Sequence, residues 1–229
     1  MSAEARRREY LKALDIDVYT LRGRAAESAV DEPEVAPVSP ETALDWTGLK
    51  DTVAGCTNCA LHETRTQTVF GVGNPAADWM IVGEAPGQEE DRRGEPFVGR
   101  AGKLLDEMLR SLGLDRESVF IANILKCRPP NNRDPAADEA AACRGYLERQ
   151  IDLVAPRIIL AVGRIAAQQL LGSDEPVGRM RGRNHFLGDR GLPVVVTYHP
   201  AYLLRSPTQK RKAWQDLVLA RRTLQGIDA

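Results

Sequence analysis

Asn123 stands in an otherwise apolar run, Val119 to Leu125. A buried amide there is costly unless it is paired. Its side chain offers one donor and one acceptor, which suits either a local backbone bond or the reading of a base edge. His199 follows a second apolar run, Val194 to Tyr198, and precedes Pro200. Beside it, Tyr202-Leu203-Leu204-Arg205 mixes apolar side chains with a cation. Proteins that extrude a base from a duplex insert such wedges. Phe97 lies in GEPFVGRAG, Gly94 to Gly102, an aromatic among chain breakers. Phenylalanine is most often core, but a ring in a glycine-rich loop can stack on a planar ligand. The segment GEAPGQEED, Gly83 to Asp91, follows an apolar strand. Its glycines let backbone approach a ligand closely. It lacks the Gly-Lys-Ser/Thr of a phosphate-binding loop and is no dinucleotide fingerprint.

The chain has four cysteines, Cys56, Cys59, Cys127 and Cys143. Two close in sequence plus two distant ones is the spacing of a four-thiolate metal site. Buried free thiols or a redox pair are the other readings. The redox reading is weak, because Cys56-x-x-Cys59 does not follow a strand and open a helix. Spacing alone does not separate zinc from a 4Fe–4S cluster.

These groups need a frame. Apolar strands are expected at Trp79 to Gly83, Val119 to Leu125, Ile158 to Val162 and Val194 to Tyr198. Between them, helical periodicity covers Lys103 to Leu112, Ala136 to Val154 and Arg164 to Leu171, and Ser206 opens a last helix through Leu224. Such alternation predicts an α/β fold, a three-layer α/β/α arrangement around a four-stranded parallel sheet. Ligands bind such sheets beyond the carboxyl ends of the strands. That rule brings the Gly83–Gly87 loop, Asn123, Gly163 and His199 to one edge.

The charges are unevenly spread. The net charge is −1, yet Gly178 to Lys212 holds eight basic residues and one acid, so one face can attract a polyanion. No run of about 18 apolar residues exists to cross a membrane. Met1 to Tyr10 is charged and has no apolar signal core, which predicts a reducing cytoplasm. Residues 25–43 lack periodicity and carry Pro33, Pro37 and Pro40, so they read as a flexible linker. This divides the chain into an N-terminal amphipathic segment (1–24), the linker (25–43) and a catalytic domain (44–229).

The motifs together resemble a known family. GEAPGQEED at Gly83 to Asp91, GEPFVGRAGKLLDEML at Gly94 to Leu109, NILKCRPPNNRDP at Asn123 to Pro135 and HPAYLLR at His199 to Arg205 are similar to family 4 uracil-DNA glycosylases. The likeness covers about residues 45 to 225. It implies excision of uracil from DNA, leaving free uracil and an abasic site. It implies that all four cysteines hold a structural 4Fe–4S cluster. By the same likeness, the loop carrying Ala85 and Gly87 contacts the base through its backbone, Phe97 stacks on the flipped uracil and Asn123 reads its edge. Glu90 takes the gate position that excludes the thymine methyl, and His199 stabilises charge on the leaving base. In the superfamily's best-known branch an Asp positions water where Ala85 stands here, so Glu84 and Asn132 are the candidates to activate it.

Two rivals remain. One is a relative that traps uracil covalently and carries a His-containing loop after the Asn-bearing strand; Arg128 to Pro135 has no His. The other is a non-catalytic, zinc-stabilised nucleic-acid-binding module, which has no need of the Asn123, Phe97 and His199 set. The domain is expected to act as a monomer. The R-R-x-x-Y-L-x-x-L-x-I pattern from Arg6 to Ile16 is loosely similar to the N-terminal peptide of the clamp-loader psi subunit. That likeness implies a replication-protein partner, with Tyr10, Leu11, Leu14, Ile16 and Tyr19 as apolar anchors.

Overall fold

The computed structural model describes residues 44–188 and 191–226. The expected N-terminal segment and linker lie outside those residues. In chain order the elements are α1 (Trp46–Ala54), β1 (Val72–Gly73), β2 (Trp79–Gly83), α2 (Gln88–Arg93), α3 (Arg100–Arg110), β3 (Phe120–Asn123), α4 (Ala137–Val154), β4 (Ile158–Val162), α5 (Arg164–Leu171), α6 (Val177–Met180), β5 (Asn184–Leu187), β6 (Leu192–Thr197), α7 (Pro200–Arg205) and α8 (Lys210–Leu224).

The strands form one sheet in the order β1-β3-β2-β4-β6-β5. The inner four are parallel, with Gly83 beside Asn123 and Val162 beside Thr197 at their carboxyl ends. The α/β class holds, but the sheet has six strands and is mixed, not four-stranded and parallel. The added strands, β1 and β5, pair antiparallel on the two edges. β1 has two residues, too few to show alternation. β5, Asn-His-Phe-Leu, is exposed or half-buried throughout, so it carries no continuous apolar run.

Side chains alternate between the two faces of the sheet, as the period of a strand requires. Met80, Val82, Phe120, Ala122, Ile159 and Ala161 face one core layer, packed with Leu147, Ile151 and Val154 of α4. Ile81, Ile121, Ile158, Leu160 and Val162 face the other, with Leu105 and Leu109 of α3 and Leu217 of α8. The strand order turns at β2: the chain moves from β2 to β3 on one side, then crosses to β4 on the other. Ligand sites in open α/β sheets form at such switch points.

Three short helices carry no readable periodicity. α1 starts at Asp45, whose carboxylate accepts from the Gly48 amide at 2.8 Å. α2 buries only Asp91. α7 begins at Pro200, where a missing N–H is harmless. The last helix starts at Lys210 instead of Ser206, because Pro207–Gln209 first makes a tighter 3-10 turn. No helix of the described residues is long and apolar enough to cross a membrane.

Candidate active site

Three loops meet at the carboxyl ends of β2, β3 and β6. They enclose a cleft of about 490 Å³, lined by Glu84, Ala85, Gly87, Glu90, Phe97, Ala101, Asn123, Asn132, His199, Ala201, Tyr202 and Arg205. The expected site residues are therefore brought together, with two exceptions on α7. Leu203 is 1% exposed and packs into the lower core. It anchors α7 and does not face outward, which leaves Tyr202, Leu204 and Arg205 as the exposed residues of that stretch. Leu204 is exposed beside the cleft but does not line it. A second cleft of about 490 Å³ lies between α4 and α5. Its charged groups, Arg144 and Glu148, are already paired with each other, and its other lining is mainly aliphatic.

Asn123 ends β3 at 2% exposure, and its buried Oδ1 has no hydrogen-bond partner among the described residues. An orphaned buried acceptor costs about 1–3 kcal/mol, and such a group needs a reason to persist. Gly83 lies across from it. A Cβ at Gly83 would fall 2.4 Å from Asn123 Oδ1 and 2.5 Å from the Phe97 ring. Only glycine lets the amide and the ring share that corner. Phe97 itself has φ of 55°, an unfavourable region for a large side chain. Arg116 holds it there, donating to Pro96 O at 2.6 Å and Phe97 O at 3.2 Å while pairing with Asp106. Nothing in the sequence around Arg116 signals that task, since the residue lies in a loop remote from every motif.

His199 is the N-cap of α7. Its Nδ1 accepts from the Ala201 amide at 3.1 Å, so that nitrogen carries no proton. Burial, then the Arg205 charge, push the imidazole down to about 4, while Glu90 opposes them. The ring is therefore neutral near pH 7, with its proton on Nε2, and can donate a hydrogen bond from that atom. Its ring stacks against Phe97 with centroids 5.7 Å apart. Gly163, at φ of 99°, gives it room: a Cβ there would lie 3.0 Å from His199 Cβ.

Glu90 clasps two loops. Its Oε1 accepts from the Val98 and Gly99 amides at 2.9 and 3.0 Å. Glu84 is raised above the usual carboxylate range by burial, then by the Asp134 charge, with Arg164 opposing. No donor bonds its carboxylate among the described residues. Asn132 is in the left-handed region at φ of 53°, and its Oδ1 accepts from Arg128 Nε at 2.8 Å.

The thiols sit directly behind this wall. Cys127 and Cys143 are 2% exposed, packed with Leu61 and Leu125, and Cys59 and Ala85 lie against them. Burial raises the Cys127 thiol; a hydrogen bond from Arg65 at 3.0 Å and its charge lower it, and Cys59 and Cys56 raise it again. Burial pushes Cys143 up to about 11, with Lys126 opposing and Cys127 and Cys59 adding to the rise. Cys127 thus feels Cys59 and Cys56, and Cys143 feels Cys127 and Cys59. Among the described residues, no three His, Cys, Asp or Glu side chains are grouped tightly enough to hold a metal ion.

Lys126 links the thiols to the cleft and carries no signal beyond its place in a motif. It is 1% exposed, and Nζ donates to Asn123 O at 2.8 Å and Gln150 Oε1 at 2.6 Å. Gln150 passes the chain on to Phe70 O at 2.8 Å. Burial lowers the lysine to about 7, against the pull of Cys143 and Cys127.

The chain is also similar to known proteins. The family described as the Uracil DNA glycosylase superfamily matches residues 70–218. The type-4 uracil-DNA glycosylase of Archaeoglobus fulgidus is 45% identical over 170 residues, 72% of this chain and 85% of the relative. That of Thermotoga maritima is 46% identical over 69% of this chain and 82% of its own length. The type-5 uracil-DNA glycosylase of Thermus thermophilus is 29% identical over 66% and 75%. The chain belongs to the uracil DNA glycosylase superfamily, and its identity to the two type-4 members named here is 45% and 46%.

Proposed function

We propose that this protein flips uracil out of DNA and hydrolyses its N-glycosidic bond, leaving free uracil and an abasic site. The observation that carries the reading is the unpaired, buried Asn123 Oδ1 in a cleft that also holds a neutral His199 donor. Uracil presents a ring N–H beside carbonyl oxygens. Asn123 Oδ1 accepts from the ring N–H, and its amide donates to a neighbouring carbonyl. Phe97 supplies the stacking face, and the backbone around Ala85 and Gly87 closes the slot. Glu90, on the rim, is the gate against the thymine methyl.

Breaking the bond leaves positive charge on the sugar and negative charge on the base. His199 Nε2–H donates to the base oxygen where that charge gathers. A donor aimed at developing charge acts mainly in the transition state and is typically worth about 3 kcal/mol. Water completes the hydrolysis. Of the two candidates to activate it, Glu84 is favoured, because Arg128 already occupies Asn132 Oδ1 while the Glu84 carboxylate is free to accept a proton. Tyr202, Leu204 and Arg205 form the wedge that fills the gap left in the stack.

Cys56, Cys59, Cys127 and Cys143 are assigned to a structural 4Fe–4S cluster. Cys127 and Cys143 are buried and Cys56 and Cys59 half-buried, and an all-thiolate donor set of this kind would suit such a cluster. Held by these four cysteines, a cluster would cross-link the segments that carry them behind the base loop. Because burial holds Cys127 and Cys143 protonated, loading must release protons.

The reading extends to a monomer working in the cytoplasm. Residues 44–229 form the catalytic domain, 25–43 a linker, and 1–24 a tether to a replication-protein partner.

The test is direct. Purified protein is incubated with oligonucleotides carrying one uracil or one thymine, and free base and abasic sites are measured. Turnover on uracil alone is expected. No free base from the uracil strand, or a stable protein–DNA adduct in its place, overturns the reading.

A further inference from the structure

Tyr202, Leu204 and Trp214 are exposed large hydrophobic side chains clustered within α7 and the start of α8. The same stretch carries Arg205, Lys210, Arg211 and Lys212, and none of them has an acidic partner among the described residues. Trp214 is 46% exposed. It borders an apolar groove of about 170 Å³ between α3 and α8, with Leu104, Met108 and Leu217 in its walls and Lys210 at its edge. Glu107, a carboxylate lining that groove, is engaged by Arg110. Leu203 anchors α7 and also lines the groove, so the groove backs directly onto the helix that carries the wedge. Arg205 at the end of α7 already lines the active-site cleft. One surface therefore continues from the cleft, over α7, to Trp214.

We propose that this surface is a second DNA subsite, where a base of the strand leaving the wedge stacks on Trp214 while its phosphates rest on Lys210 and Arg211. The proposal rests on the glycosylase reading for its source of DNA. A flat aromatic at the rim of a small apolar groove, flanked by unpaired cations, is the combination that holds single-stranded nucleic acid: rings meet bases and cations meet phosphates. The wedge supplies the unstacked strand. An acidic protein surface would satisfy the cations but gives the exposed ring and the narrow groove no partner.

The full chain has three tryptophans. Trp79 is buried and Trp46 half-buried, leaving Trp214 as the exposed one. Tryptophan emission is therefore followed while a uracil-free single-stranded 15-mer is added. Quenching is expected, and it should vanish in Trp214→Phe. Trp214→Ala should weaken binding about tenfold. The double variant Lys210→Ala, Arg211→Ala should flatten the plot of log affinity against log salt by about 1.4. Uracil release from a trinucleotide with central deoxyuridine, too short to reach Trp214, should be unchanged in all variants. Quenching that survives in Trp214→Phe, an unaltered salt slope in the double variant, or an equal loss on the trinucleotide overturns the subsite. So does quenching by poly-glutamate with none by DNA, which would mark a protein-docking face. Wild-type protein that binds the uracil-free 15-mer through Trp214 yet releases no uracil from the trinucleotide or from a 15-mer carrying one uracil would sink the glycosylase reading and leave the subsite standing.

Discussion

Asn123 holds a buried oxygen without a partner, and this sets an unusual pairing of outcomes for its removal. Asn123→Ala should lower uracil excision at least about tenfold, because the base loses its edge contact. Stability should fall by less than the roughly 2–5 kcal/mol of an ordinary core truncation, since the change also deletes an unsatisfied acceptor. Excision rates and denaturant midpoints, measured side by side, check both; full activity in a folded variant removes Asn123 from the chemistry. His199 gives a pH prediction. Its folded-state value is about 4, below the ordinary histidine value of 6.5. His199 should thus add no step of its own to the single-turnover rate between pH 8 and about 5, where an exposed histidine would already have titrated, so the rate of His199→Gln should keep a constant ratio to that of the unaltered protein across that range. Between about 6.5 and 4 the unfolded chain binds a proton at this residue and the folded chain does not, so stability falls as pH drops through that window. The acid-side loss should be smaller in His199→Gln. Asn123, Phe97 and His199 were legible in the sequence because each is an odd residue type at the end of an apolar run or in a glycine-rich loop. Arg116 and Lys126 were not. Arg116 acts on the backbone oxygens of Pro96 and Phe97, Lys126 on the Asn123 carbonyl three residues back and on the Gln150 side chain of α4, and a cation in a loop looks the same whether or not such an oxygen awaits it.

At the scale of elements, α2 and the loop before α3 are fastened by one carboxylate. Glu90 faces the cleft and also accepts from Val98 and Gly99. Replacement by Gly or Ala opens the gate and releases the clasp together, so activity on uracil should fall as thymine discrimination relaxes. Glu90→Gln keeps an acceptor and should retain most uracil activity. Competing uracil and thymine substrates separate the two effects, and unchanged thymine rejection in an active Glu90→Ala variant moves the gate elsewhere. The thiol nest is a second fastening. Cys143→Ala should reduce folding yield and iron content before it slows any chemical step in the protein that does fold. Iron analysis and absorbance near about 400 nm measure this, a range characteristic of such clusters; unchanged iron in a well-folded variant breaks up the four-thiolate set. The inner strands and α4 could be read from periodicity because both of their faces or one whole stripe are buried. β1, β5 and α2 could not: they are short, lie at edges, and are held by backbone pairing or a buried Asp91 that accepts from Thr66 and Gln67.

For the whole molecule, the cleft, its thiol support and the neighbouring basic surface all lie within residues 44–226. A chain cut before Leu44 should therefore cleave short oligonucleotides at the full rate and lose binding to any replication partner, since tethering raises local concentration without touching the site. Cleavage kinetics and a pull-down with candidate clamp-loader subunits check this. A slower but stable truncated protein would place the N-terminal segment in the catalytic domain.

Gly83 sets a boundary on how this enzyme's appetite can change. A methyl group at that position meets Asn123 and the Phe97 ring at once, both of them firmly seated. At Gly87 the nearest obstacle is Glu90 Oε2 at 2.7 Å, the tip of a flexible side chain. The floor of the slot is thus closed to mutation while the rim stays negotiable. Libraries aimed at new base preferences should be built at Gly87, Glu90 and Ala101, where variants can still turn over, and diversity spent on Gly83 should return inactive clones.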